Sequence, residues 1–397
     1  MNKPETFPAL NGLRFLAALA VVIFHYAPRV QSYGQIPGAA RHLINEGPAA
    51  VGFFFILSGF VLAHRHLYGR ASAQSATAFY WSRFARLYPA YLLAFLLFLP
   101  VAVQRYLLNP VNPAAPPPAP HTFALSAILS CLMLQSWTPL AQAWNGPSWS
   151  LSVEAFLYLL FPLIGWRLAK LSRRGTVSVM LLSWLMPAGL AAAYVAHRIP
   201  EAAWRLYVTN NPLLWTPLFL MGICASRFTF DWKRVPAGAA GLASTLTFLA
   251  VILAALAWPQ KWADVFVTGG IAPLLVALII FFTRGSGWIA EAMGSPQLNK
   301  LGEASYVVYI LQAPLWHYWQ EATNSLRGGE PYASTVALWQ FAAFVPLLVL
   351  ASLAVQRYIE ASARAWLGAN QRISRRGTEE TFQQQAPRAN AVELVES

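Results

Sequence analysis

Arg14 and His25 have complementary chemistry and lie in one apolar stretch near the start of the chain. A histidine can take a proton from a hydroxyl near neutral pH, and the fork of an arginine binds phosphate oxygens. Because eleven residues at about 100° each exceed three turns by only about 20°, one helix would place both on the same face, roughly 16 Å apart along its axis. Asn11 would flank the same opening. The spacing predicts either two stations of one reaction path or two interfacial anchors, and alone it does not decide.

A carboxylate, Glu154, ends the segment Trp149-Ser150-Leu-Ser-Val-Glu at the start of another apolar run. It lies about five residues, or ~7.5 Å, inside the outer boundary of that run. We expect this depth to match that of His25, so that the carboxylate orients the ring and stabilises its protonated form. The alternative is a structural carboxylate bonded to backbone or tryptophan N–H groups, because an unpaired buried carboxylate is costly.

Arg83 and Arg86 stand three residues apart at the start of a further apolar run. On a helix they would face the same way, and two planar guanidinium groups suit phosphate or pyrophosphate oxygens. Basic anchoring at a membrane surface is the simpler explanation for two such arginines. Their predicted position on the same side of the membrane as Arg14 favours the anion site.

The elements that carry these residues are predicted to be membrane helices, in an all-α polytopic fold. Of the 397 residues, 57% are apolar and only 11% are charged, far below the roughly 25% of a soluble domain. The apolar runs reach about 16 to 20 residues, enough to cross a hydrocarbon core of ~30 Å. In such a protein a net charge of +13 reflects basic loops rather than a nucleic-acid partner. The histidines and the two cysteines show no spacing typical of a metal site.

About ten spans are predicted, with both termini in the cytoplasm. They lie near residues 9–27, 49–64, 88–107, 149–166, 176–195, 212–227, 239–257, 265–283, 301–319 and 336–355. In this arrangement 20 of the 28 lysines and arginines fall in cytoplasmic segments and 7 fall outside, while Arg14 lies within a span. The excess follows the positive-inside rule.

The segment near 121–148 does not fit a simple alternation of spans. Residues 123–137 are apolar enough to cross, but counting them would place the basic loop 167–174 outside. We therefore expect a re-entrant or interfacial piece after the proline-rich stretch 109–120. We expect a membrane domain over 1–357 and a polar, disordered cytoplasmic tail over 358–397.

Five short motifs follow one another in order between residues 7 and 357. They are Arg14-x10-His25, Gly52-Phe-Phe-Phe-Ile-Leu-Ser58-Gly59-Phe, Arg83-Phe-Ala-Arg86-Leu-Tyr-Pro, Trp149-Ser-Leu-Ser-Val-Glu154 and Ser305-Tyr-Val-Val-Tyr309-Ile-Leu-Gln312-Ala-Pro. No single motif is specific, but the ordered set resembles the bacterial acyltransferase family 3, membrane enzymes that acylate surface glycans and some antibiotics.

The resemblance implies an acyl-CoA co-substrate, by default acetyl-CoA, on the cytoplasmic side of a bacterial inner membrane. It also implies a glycan or glycolipid acceptor on the outer face, and no tightly bound cofactor or metal. Arg14, Arg83 and Arg86 would bind the donor, and His25 and Glu154 would be catalytic. Roles in contacting or orienting the substrates would fall to Asn11, Ser58, Trp149, Ser150, Ser305, Tyr309 and Gln312.

Gln312 departs from the family pattern, because relatives often carry a histidine at this position of the late motif. An amide donates and accepts hydrogen bonds but does not titrate. We expect a structural or acceptor-orienting role for Gln312.

The leading hypothesis is therefore an acyl-CoA-dependent O-acyltransferase that acts on an extracytoplasmic sugar. A transporter or flippase is the competing class, since ten spans with charges inside the membrane also suit alternating access, although the sequence contains no internal repeat. A catalytically silent scaffold, in which Gln312 marks lost chemistry, is the third.

Overall fold

The computed structural model describes residues 7–68, 75–108, 119–232, 234–326, 335–360 and 362. Most of the proline-rich stretch and nearly all of the predicted tail lie outside this part of the chain. The principal helices are α1 Pro8–Tyr26, α2 Gly38–Asn45, α3 Ala49–Ala63, α4 Ala76–Leu108, α5 Pro120–Cys131, α6 Trp149–Ala169, α7 Arg173–Val195, α8 Pro212–Ala225, α9 Ala237–Ala257, α10 Ala272–Phe282, α11 Trp288–Met293, α12 Pro296–Leu326 and α13 Leu338–Val355. Among the described residues, the only β-type pairing is a single bridge between Val30 and Val336.

The fold is an all-α polytopic membrane protein, as predicted. Among the described residues, seven helices are long and apolar enough to cross a bilayer, and an eighth span is present if the pair 260–270 and 272–282, bent by 49°, counts as one. The apolar helix α8 is shorter, and α12 carries too many polar residues to qualify by composition. The predicted count of about ten spans stays a prediction.

Leucines on the outer faces of the helices support the membrane assignment. Leu182 on α7, Leu242 and Leu253 on α9 and Leu350 on α13 are each more than 60% exposed. An apolar surface of this extent is unfavourable in water and favourable against lipid. The polar side chains discussed below are buried between the helices instead.

Helices α1 and α12 run parallel through the centre of the bundle. Near their starts, the Asn11 Nδ2 atom donates a hydrogen bond of 2.8 Å to Asn299 Oδ1. Near their ends, Tyr26 stacks on Trp316 with ring centroids 4.4 Å apart. Gly302 permits this close approach, because a Cβ atom there would lie 2.0 Å from the carbonyl oxygen of Asn11. The two helices therefore form one scaffold for residues at both ends of the bundle.

Small residues also bring α3 and α8 together. A Cβ atom on Gly222 would lie 1.9 Å from the carbonyl oxygen of Ile56, and one on Gly59 would lie 2.2 Å from that of Phe219. This agrees with a Ser58-Gly59 seam used for close helix packing. Ser58 is thereby fixed on the face of α3 next to α6.

The segment predicted to be re-entrant forms the twelve-residue helix α5, too short to cross a bilayer alone. The irregular chain that follows it enters the bundle. Gln135 is fully buried there, and its Nε2 atom donates to Tyr91 Oη and to the Ser148 carbonyl, each at 3.1 Å. Asn145 donates to the carbonyl of Ile310 at 2.9 Å. Helix α6 therefore begins in the interior of the protein.

Two helical elements extend beyond their predicted limits. The predicted span 88–107 is the second part of α4, which begins at Ala76 and continues through Pro89, so Arg83 and Arg86 lie on a helix. A helical turn, Gln356–Glu360, continues α13 past residue 357, and Glu360 is only 2% exposed.

Candidate functional site

The end of the bundle at which α1 begins is called proximal here, and the opposite end distal. Arg14, Arg83 and Arg86 meet toward the proximal end, and all three are half-buried. Arg86 interacts electrostatically with both other arginines, and all three interact with Glu154. Three guanidinium groups held together in a partly desolvated place have the chemistry to bind a polyanion such as a phosphate group; we call them the arginine site.

Two carboxylates balance part of this positive charge. Glu154 on α6 is one, and Glu360 after α13 is the other, since it interacts electrostatically with Arg14 and Arg86. Tyr306 of α12 binds the carbonyl of Leu87 at 2.6 Å, which ties α12 to α4 beside Arg86. Three arginines against two carboxylates leave a positive charge for a ligand to neutralise.

The sequence predicts that Glu154 orients His25, but the structure gives Glu154 other partners. Glu154 Oε1 accepts hydrogen bonds from Tyr158 Oη at 2.5 Å and from Ser58 Oγ at 3.3 Å. Both partners are hydroxyl groups, so they also differ from the backbone and tryptophan N–H groups that were the alternative prediction. Glu154 is thus a carboxylate of the arginine site.

The depth at which α6 begins explains this difference. Ser150, in its first turn, donates a hydrogen bond of 2.9 Å to Tyr309 Oη in the middle of α12. Four residues further along α6, Glu154 lies about 6 Å deeper toward the proximal end. The predicted match in depth between Glu154 and His25 required α6 to start at the outer membrane boundary. The buried chain before α6 prevents this, because it places the start of the helix inside the protein.

Gln312 is the residue that contacts His25. Its Oε1 atom lies 3.0 Å from His25 Nδ1, and its Nε2 atom donates to the carbonyl of Tyr309 at 2.8 Å. Because the amide nitrogen must face that carbonyl, the amide oxygen faces the imidazole, and Nδ1 is the donor. The neutral ring therefore carries its proton on Nδ1 and its lone pair on Nε2.

His25 lies in the wall of a cavity of about 410 Å³ at the distal end. Five aromatic side chains form much of this wall: Tyr26, Phe98, Trp144, Trp149 and Trp316. The polar side chains of the wall are His25, Arg29, Gln142, His317 and Gln320. An apolar wall with a few polar groups is typical of a site for a small organic ligand.

Trp144 gives this cavity a rigid wall. Its ring stacks between Phe95 and Phe123, with centroids 5.1 and 5.2 Å away, and its Nε1 atom donates to Ser126 Oγ at 2.8 Å. The part of this ordered ring that lines the cavity can contact the apolar groups of a ligand.

The remaining residues of the late and middle motifs lie between the two sites or support the helices. Ser150 and Tyr309 both bond to the carbonyl of Pro147, at 3.1 and 3.2 Å, between the arginine site and the cavity. Ser305 is fully buried and bonds to the carbonyl of Gly302 on its own helix. Asn11 joins α1 to α12, as described above, and Trp149 reaches the cavity wall.

Sequence reasoning missed most of the cavity wall. Gln142 and Trp144 lie in irregular chain, where no periodicity assigns a direction to a side chain. Trp316, His317 and Gln320 lie beyond the late motif on α12, and their spacing of three, four and seven residues from Ala313 was the available signal.

Comparison with known proteins agrees with this geometry. The family model for an acyltransferase domain matches residues 7–357. The chain belongs to the acyltransferase 3 family. It is therefore an acyltransferase of the membrane type, and the resemblance drawn from the five motifs is confirmed.

Two of three similar proteins carry acyltransferase names. The chain is 31% identical over 348 residues to acyltransferase MdmB of Streptomyces mycarofaciens, across 81% of each protein. It is 23% identical over 343 residues to O-acetyltransferase OatA of Staphylococcus aureus, covering 80% of this chain but only 51% of OatA. It is also 32% identical over 194 residues to protein 2 in the picA locus of Rhizobium radiobacter, across 46% of this chain and 93% of that protein. No solved structure gives a significant match.

Membership of the acyltransferase 3 family bears on the departure at Gln312. A histidine there would be expected to offer a ring nitrogen to the His25 Nδ1–H, and the amide oxygen of Gln312 offers an equivalent acceptor. The substitution keeps the hydrogen bond while removing a titrating group. It does not imply that the chemistry is lost.

Proposed function

We propose that this protein transfers an acyl group from cytoplasmic acyl-CoA to a hydroxyl of an extracytoplasmic glycan or glycolipid. The observation that carries the proposal is the arrangement along α1: Arg14 belongs to a three-arginine anion site, and His25, on the same helix, lies in a separate aromatic cavity. Family membership favours this reading over a transporter or a silent scaffold.

The arginine site is proposed to hold the phosphates of the donor. The excess of basic residues in the loops supports an orientation in which the proximal end faces the cytoplasm at a bacterial inner membrane, where acyl-CoA is found. Glu154 and Glu360 keep the three arginines ordered before the donor binds, since uncompensated charges inside the protein are costly. Glu154 then has an electrostatic role in donor binding rather than one in orienting His25.

The donor spans the distance between the two sites. Arg14 and His25 are roughly 16 Å apart along α1, and CoA carries its thioester on a long flexible arm beyond the phosphates. With the phosphates at Arg14, Arg83 and Arg86, the arm runs past Ser150 and Tyr309 toward the cavity. The thioester carbon then comes within reach of an acceptor hydroxyl beside His25.

His25 is proposed to act as the general base for direct transfer. Its Nε2 atom takes the proton of the acceptor hydroxyl as that oxygen forms a bond to the thioester carbonyl carbon. The carbon–sulfur bond breaks, and the CoA thiolate leaves and takes up a proton. Gln312 accepts from Nδ1–H throughout, so it favours the reactive tautomer and holds the ring in place.

The test uses a strain that lacks the protein and is complemented with single variants. Mass spectrometry of the surface polysaccharide would follow acylation in His25→Ala and in the double variant Arg83→Gln/Arg86→Gln, at matched protein levels. We expect both to lose it. In purified protein, the double variant should bind CoA at least about tenfold more weakly, whereas His25→Ala should bind it normally. Full acylation in the His25→Ala strain would refute the proposal.

A further inference from the structure

Among the residues that the structure describes, Arg29 is the one permanently charged side chain in the wall of the distal cavity, and none of the carboxylates lines it. Within the described part of the chain, no carboxylate lies at ion-pair distance from its guanidinium. Its backbone is held in place, because its carbonyl accepts a hydrogen bond of 2.8 Å from the Val336 N–H. Arg29 is thus an exposed cation in the cavity wall, on a held backbone, whose guanidinium can bind an anionic ligand.

Arg29 also lies close enough to His25 to interact with it electrostatically. A permanent positive charge beside the ring opposes the positive charge that develops as the ring takes a proton. In the absence of a ligand, Arg29 therefore works against the base that the reaction needs. An anion bound to Arg29 would cancel this opposition at the moment when the acceptor is in place.

We propose that the acceptor carries an anionic group, a carboxylate or a phosphate, near the hydroxyl that is acylated, and that Arg29 binds this group. The inference rests on the proposed function, because it assigns the cavity beside His25 to the acceptor. The acceptor is then an acidic sugar or a phosphorylated one, with its ring against the aromatic wall and its anion on Arg29.

The aromatic wall supports a sugar as the carrier of that anion. Trp144 is fixed between two phenylalanines, and Trp316 is stacked on Tyr26, so both rings are ordered before any ligand binds. The parts of these ordered rings that line the cavity can contact the C–H groups of a sugar without losing much side-chain entropy on binding. A cavity of about 410 Å³ has the size of a site for a small organic molecule.

The test measures binding and transfer with matched probes. The full-length protein in lipid nanodiscs would be titrated with methyl glucuronide, methyl glucoside 6-phosphate and neutral methyl glucoside, using the fluorescence of the cavity tryptophans. Acetyl transfer from acetyl-CoA to each probe would be followed by mass spectrometry. The variants are Arg29→Gln and Arg29→Lys, and the control is Arg198→Gln, an exposed arginine outside the cavity wall.

We expect an anionic probe to bind at least about fivefold more tightly than the neutral one, the order of an exposed charge pair. Arg29→Gln should abolish this preference, Arg29→Lys should keep most of it, and Arg198→Gln should leave it unchanged. With the neutral probe, the kcat of Arg29→Gln should exceed that of the wild type, because the opposing charge beside His25 is gone. A role confined to folding would not produce that crossover.

Three results would overturn the inference. The first is equal binding of charged and neutral probes, or no binding of either anionic probe. The second is an anionic preference that survives Arg29→Gln. The third is an effect of Arg29→Gln that depends on anionic lipid in the nanodisc rather than on the probe, which would make Arg29 a lipid anchor. Failure of the proposed function would look different, since acetyl transfer to every acceptor would then be independent of His25.

Discussion

Replacing Gln312 by leucine tests the step that links the structure to the chemistry most directly. Leucine has a similar volume and Gln312 is fully buried, so the packing of α12 should persist. The change removes the oxygen that accepts from His25 Nδ1 and the NH2 group that donates to the Tyr309 carbonyl. The neutral ring can then shift its proton to Nε2, and in that form it cannot accept a proton from the acceptor.

The expected loss follows from the free energy of one buried hydrogen bond. A net contribution of about 0.5–1.5 kcal/mol corresponds to roughly a twofold to twelvefold effect, and a buried N–H group left without an acceptor costs about 1–3 kcal/mol. We therefore expect kcat/KM for acyl transfer to fall by between tenfold and a hundredfold, on the order seen when a group that orients a functional histidine is removed. The affinity for CoA should not change, because Gln312 does not belong to the arginine site.

The assay combines transfer kinetics over a range of pH with a separate measurement of CoA binding. Gln312→Glu provides the second variant, since a carboxylate in this place stabilises the protonated ring. Its activity should appear at higher pH than that of the wild type, whereas a purely structural role would not move the pH profile. Unchanged kcat/KM in Gln312→Leu, or a parallel loss of CoA binding, would refute the orienting role.

Three further predictions concern the helices and the loops. Glu154→Gln removes a counter-charge from three half-buried arginines and should lower the free energy of unfolding by about 1–3 kcal/mol. Adding CoA should raise its apparent melting temperature more than that of the control Glu303→Gln, which alters an exposed carboxylate. Gly222→Ala should cost at least about 1–3 kcal/mol because its Cβ would overlap the carbonyl of Ile56, whereas Gly189→Ala, with nothing within 4 Å, should be nearly neutral in the same melting experiment. Burial raises the pKa of Glu46, in the loop after α2, from 4.5 to about 7. Its protonated form therefore stabilises the fold fully below pH 4.5, and this stabilisation is lost as the pH rises through 7. The melting temperature of Glu46→Gln, measured at several pH values, should lack this pH-dependent part.

Patterns that depend on local spacing were predicted well from the sequence. The membrane class followed from composition, and the grouping of Arg14 with Arg83 and Arg86 agrees with the structure although α4 begins twelve residues before the predicted span. Helical periodicity fixes which residues share a face, and the distribution of basic residues indicates which ends of the helices lie together. Both signals are contained within single helices and their flanks.

Features that depend on irregular chain could not be predicted in the same way. The depth of Glu154 is set by the buried segment before α6. Gln135 and Asn145 hold this segment inside the protein, because their side chains donate hydrogen bonds to buried carbonyl groups. No period in the sequence reports such a path. The contact between His25 and Gln312 joins residues almost three hundred positions apart, and its nearest sequence signal was the position of Gln312 in a motif of the family.

The parallel packing of α1 and α12 explains how one protein can keep two chemically different sites in register. Their contacts at Asn11 and at Tyr26 fix both ends of the pair. Since Gln312 belongs to α12 and none of the three arginines does, a shift of α12 along α1 would break the His25 contact while leaving the arginines in place. Under the proposed function, a donor bound at the arginines would therefore react only where the pair is correctly aligned. Weakening the contacts between α1 and α12 at Asn11 and Tyr26 should thus reduce acyl transfer more than donor binding.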